Sequence, residues 1–147
     1  MNTLRMWIIL SWILLPAVMG GGSLLLRRLT VGDPTPFQVT WIRAFHAHGG
    51  VLIIMSLLYY MFLDRTSLSG SVKRGACLAL FLGIAALAGG FFVHALIGQP
   101  HHTSIGTALT LSGAASMAAA LLVLVYGLLT TPAAASDTAK RGDYFAR

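Results

Sequence analysis

Four apolar stretches, each long enough to cross a bilayer, set the narrowest limit on what this chain folds into. A helix spanning the hydrocarbon core needs about 20 predominantly apolar residues. Residues 6–26, 41–63, 75–98 and 104–129 each reach that length with few charges. Backbone groups in lipid must bond one another, so each stretch is expected to be a helix. Together they fill most of the 147 residues, which makes residues 1–129 one transmembrane domain with no room for a soluble one. A mean hydropathy of +0.79 agrees, lying outside the range of soluble globular chains. Short connections make successive helices antiparallel neighbours. The expected fold is an all-α, polytopic, up-down-up-down four-helix bundle in contact with the lipid bilayer.

Charge gives this bundle a direction. Arg5, Arg65, Lys73, Arg74, Lys140, Arg141 and Arg147 fall on one side of the spans, and Arg27, Arg28 and Arg43 on the other. The positive-inside rule then places both termini in the cytoplasm and the histidine edge toward the periplasm or cell exterior. The net charge of +6 is a property of span flanks meeting anionic lipid, and gives no reason to expect nucleic-acid binding. Residues 130–147, rich in Ala, Thr and small polar residues, are expected to form a disordered cytoplasmic tail. The first stretch follows Arg5 as a signal peptide would. It runs on to Leu26 without a small-x-small cleavage site and is read as an uncleaved helix.

Local punctuation refines the spans. Pro16 is expected to kink the first helix, and Gly20, Gly21 and Gly22 form either a packing surface or a weak turn. Asp-Pro and Thr-Pro steps extend the first connection, and Thr40 is the expected N-cap of the second helix. Small residues are frequent in the third and fourth spans, including Gly83, Gly90, Gly106 and Gly113. They let helices approach closely within the chain or between subunits of a homo-oligomer or larger membrane complex. Cys77 has no partner cysteine and reads as a buried apolar residue. Trp7, Trp12, Trp41, Tyr59 and Tyr60 read as interfacial aromatic anchors. No acidic residue falls within a span, which argues against a conventional ion-coupled transporter.

The five histidines carry the chemistry. His46, His48, His94, His101 and His102 all fall at one edge of the bundle, the outward one by charge. His46 and His48 are two residues apart and diverge by about 200° on a helix, so one ion cannot take both from a regular helix. His46 has Gly49 and Gly50 one turn deeper, and His94 has Gly90. Two imidazoles on neighbouring antiparallel helices, with glycine beneath each, suit axial ligation of a flat macrocycle such as haem b. Arg43, one turn nearer the edge than His46, suits haem propionates. A copper or zinc site would draw instead on His46, His48, His94, His101 and His102. The plain alternative is interfacial polarity, with imidazole tips reaching headgroups and glycines serving helix packing.

His46-Ala47-His48, followed by Gly49-Gly50 and an apolar run ending in Tyr59-Tyr60, resembles the second span of certain small bacterial membrane proteins. Those four-helix proteins are related to part of haem–copper oxidase subunit I. The likeness covers about 25 residues and otherwise only the span count. It implies a haem- or copper-associated protein, or a relative without a catalytic centre. Full oxidase subunits are several times longer and richer in helical histidines, so an oxygen-reducing centre is not expected. The expected function is b-type haem electron transfer with a quinone or redox protein as partner. The alternatives are a non-catalytic accessory or assembly subunit and a copper or zinc handling protein.

Overall fold

The computed structural model describes residues 3–32 and 34–132. These described residues form four helices: α1 (Thr3–Val31), α2 (Pro36–Asp64), α3 (Gly70–Ile97) and α4 (Ile105–Thr130). There is no strand among the described residues, and all four helices are long and apolar enough to cross a membrane. The chain is thus an all-α integral membrane protein. The expected tail falls mostly on residues 133–147, outside the described residues.

Helix starts are set by short-range hydrogen bonding. The N-cap of α2 is Thr35, five residues before Thr40, in a capping box written in Thr35-Pro36-Phe37-Gln38. The Thr35 hydroxyl accepts from the Gln38 backbone N–H at 3.3 Å, and the Gln38 side chain accepts from the Thr35 N–H at 3.1 Å. Pro36 takes the first helical position, where its missing N–H costs nothing. The Thr40 hydroxyl donates back to the Pro36 carbonyl at 2.9 Å and caps nothing. Ser69 caps α3, and Ser104 caps α4 through a second capping box with Thr107. α1 continues across Pro16 and the three glycines without a break. In lipid no water stands ready to take up freed backbone groups, so an interrupted ladder is costly there.

The glycine stripes are used inside the chain. Gly83 lies against Gly113 and Met117, and Gly90 against Gly106 and Thr110, which runs α3 and α4 antiparallel in close backbone contact. Ser116 donates across this seam to the Ala79 carbonyl at 2.9 Å. α2 packs antiparallel on α3 through Phe45–Phe92, His48–Phe91 and Trp41–His94. α1 lies along α2, with Ser11 bonded to Ser56, Val18 near Gly50 and Gly22 under His46. It reaches α3 through Trp7 on Phe81.

The core sits toward the chain-terminus end of the bundle, where Trp7, Tyr60, Leu63, Cys77, Leu80 and Ala120 cluster. Tyr59 and Tyr60 therefore correct the aromatic-belt expectation: both are buried, Tyr60 completely. The Tyr59 hydroxyl donates to the Ala120 carbonyl of α4 at 2.9 Å, a partner that lets a phenol stay inside. Trp7 is buried as well, while Trp12 stays exposed. Cys77 is fully buried, as its apolar reading requires. At the opposite end α1 leaves a cleft between itself, α2 and α3.

Candidate functional site

The cleft has a volume of about 740 Å³. Leu14, Val18 and Gly21 of α1 face Phe45, His46 and Gly49 of α2, and Phe92 and Leu96 of α3 close the third side. His46 and Gln38 are the polar side chains among the described residues that line it. Its position at the end of the α1–α2 connection follows from the sequence. Gly21 of α1 carries no side chain to fill the space beside α2, and Gly49 removes another.

His46 is held against the α1 backbone. A Cβ at Gly22 would stand 2.6 Å from its Cε1 and 2.7 Å from its Nε2, so only glycine leaves the ring this position. Side-chain hydrogen bonds among the described residues engage the rings of His48 and His94 but not that of His46. His46 is thus a half-buried imidazole at the cleft wall, a side-chain type with the chemistry to ligate a metal ion. Arg43, one turn toward the start of α2, is exposed.

His94 occupies a different environment. It is 6% exposed, and its Nδ1 lies 2.6 Å from the Ser104 hydroxyl. Its ring meets Trp41 edge-on, with centroids 4.6 Å apart at 87°, and Phe37 at 5.3 Å. Ser104 also accepts from the Gly106 N–H at 3.1 Å. His94 thus fastens the start of α4 to α2 and α3. Gly90, one turn deeper, receives the α4 backbone and opens no space toward the cleft. His46 and His94 are therefore not brought to one cavity.

The other histidines separate too. His48 is exposed, and its Nδ1 lies 2.8 Å from the Ala44 carbonyl. A carbonyl only accepts, so Nδ1 donates in this bond, and the ring rests on Phe91 at 4.9 Å. His101 and His102 are exposed in the turn before α4, His101 in the left-handed region at φ 63°. Among the described residues no three His, Cys, Asp or Glu side chains are placed to hold a metal ion together.

The contribution of α1 was not legible in the sequence. A glycine triplet marks a thin stretch of helix but does not say which glycine meets which histidine. The i, i+4 pairs Trp7–Ser11 and Ser56–Tyr60 were a visible signal of one polar seam. No family model matches the chain, and no curated protein or solved structure matches it either.

Proposed function

We propose that this protein holds a b-type haem in the cleft, with His46 as its protein ligand, and carries electrons in a bacterial cytoplasmic membrane. The observation that carries the reading is His46: an imidazole free of hydrogen bonds among the described residues, at the wall of a mainly apolar cleft. Ligand pockets of this kind run to about 300–1,000 Å³, apolar with a few placed polar groups, and the cleft falls within that range. Gly21 and Gly49 leave flat surfaces where a macrocycle would otherwise meet side chains. Gln38 at the cleft wall is a group suited to propionates, and Arg43, exposed and outside the lining, would have to reach them with its guanidinium. When bound, haem supplies one-electron chemistry tuned by its axial ligand and the polarity around it. In this reading His94 is a structural residue, anchored on Ser104. The excess of Lys and Arg on the terminus side turns the cleft outward, toward a quinone or a redox protein at the outer face.

The test is an oxidised and reduced optical spectrum of protein purified from a haem-replete host. The expected result is a Soret band that shifts on reduction, lost in His46→Ala and kept in His94→Ala if that variant folds. Colourless wild-type protein overturns the proposal. Colourless protein carrying a full equivalent of copper or zinc by elemental analysis then supports metal handling. Colourless, metal-free protein that copurifies with a membrane complex in mild detergent supports an accessory subunit.

A further inference from the structure

Beyond the cleft, a second polar feature lies within the core, where α1 meets α2. Trp7 and Ser11 share one face of α1, and Ser56 and Tyr60 share the opposing face of α2, each pair four residues apart. All four are more than nine-tenths buried: Trp7 is 9% exposed, Ser11 3%, Ser56 2% and Tyr60 0%. The indole and phenol rings lie 6.4 Å apart, inclined by 31°.

The hydrogen-bond count among these groups does not close. The Ser56 hydroxyl donates to the Ile53 carbonyl at 2.7 Å. Its bond to Ser11, at 2.9 Å, must then use the Ser11 proton. Both serine oxygens keep lone pairs and have no further proton to give. Trp7 Nε1 and the Tyr60 hydroxyl, both buried, have no partner. The Tyr60 hydroxyl lies beside Ser11 and Ser56 without reaching either in bonding geometry. Two buried donors without partners thus share these helix faces with two oxygens that keep spare lone pairs. Each unsatisfied donor costs on the order of the desolvation of its group, and lipid offers no alternative partner.

We infer that Trp7, Ser11, Ser56 and Tyr60 bind one water molecule between α1 and α2. A water oxygen accepts from the indole N–H and the phenol O–H, and its protons go to the serine lone pairs. That gives four bonds, the upper end of the roughly two to four typical of a buried water. The site uses each of the four groups in the role its chemistry leaves open. It also pins α1 to the bundle at the core end, while the other end of the same helix forms a wall of the cleft.

A crystal structure of the full chain grown from a lipid phase tests this. The expected result is a density peak within about 2.7–3.2 Å of both Trp7 Nε1 and the Tyr60 oxygen. A map that shows ordered waters elsewhere but none here overturns the inference. Nuclear magnetic resonance of the tryptophan-labelled full chain in detergent gives an independent reading. Tyr60→Phe keeps the ring and removes only the hydroxyl, and Ser11→Ala removes the neighbouring acceptor. Either substitution is expected to shift the Trp7 indole N–H resonance while leaving those of Trp12 and Trp41 in place. A Trp7 resonance unmoved by both overturns the shared site, and the serine variant decides the matter if Tyr60→Phe does not fold.

Discussion

Substituting Gly113 by alanine is expected to force α3 and α4 apart. A Cβ there would stand 2.6 Å from the Gly83 carbonyl oxygen and press on the backbone nitrogen of Leu87. Real Cβ atoms do not approach other heavy atoms within 3.0 Å, so the seam must open by at least about 0.4 Å at this point. The obstacle is backbone on a rigid helix, which no rotamer change relieves. A gap of about 0.5–1 Å forfeits a quarter to a half of the dispersion attraction between facing atoms. In a membrane that attraction is the main force between helices, since lipid supplies no hydrophobic drive. Overpacking of this kind costs about 1–3 kcal/mol, which is roughly a fivefold or greater fall in the folded-to-unfolded ratio. Cys77 is the chain's single cysteine and is fully buried, so its reaction with a fluorogenic maleimide during a thermal ramp reports unfolding directly. Gly113→Ala and Gly106→Ala are expected to expose Cys77 at clearly lower temperature than wild type. Gly20→Ala and Gly89→Ala, with nothing within 4 Å of the added methyl, are expected to match wild type or exceed it. Equal midpoints for Gly113→Ala and Gly20→Ala would refute the argument that the α3–α4 seam depends on backbone contact.

Four further outcomes follow from the same geometry. Gly22→Ala pushes on the His46 ring, the far end of a flexible side chain, so the fold should survive while haem retention falls; an unchanged spectrum and haem content would remove Gly22 from the site. Ser104→Ala deletes the cap of α4 and the partner of His94 together, for a loss of about 1 kcal/mol or more, read as an earlier Cys77 midpoint. Tyr59→Phe leaves the Ala120 carbonyl without its buried donor and should cost about 1 kcal/mol by the same assay; a midpoint at or above wild type would show that the bond contributes nothing. Fusions at the C-terminus should be active with a cytoplasmic reporter and inactive with a periplasmic one, and the reverse pattern would turn the cleft inward.

Four apolar stretches of the right length determined four helices, because a chain in hydrocarbon has no other way to satisfy its backbone. The start of α2 was also written locally, in Thr35-Pro36-Phe37-Gln38, although the fainter cap signal at Thr40 reads more easily beside the apolar run. Side-chain partners were another matter. Helical spacing put a glycine one turn below both His46 and His94, and to a one-dimensional reading the two positions look alike. Packing made them different: the α4 backbone fills the space at Gly90, whereas a Cβ at Gly49 would stand 4.0 Å from the Ala88 Cβ of α3, in ordinary contact, and Gly49 also lines the cleft. Tyr59 and Tyr60 likewise have the composition of a membrane belt and the position of a core, because α4 supplies a carbonyl at Ala120 and α1 supplies Trp7. Sequence fixes where a helix runs and which residues share a face of it. Which neighbour covers that face depends on how four nearly uniform apolar cylinders settle against one another. In lipid that choice rests on the close fit of small residues, a property of pairs of helices that no single stretch of sequence contains.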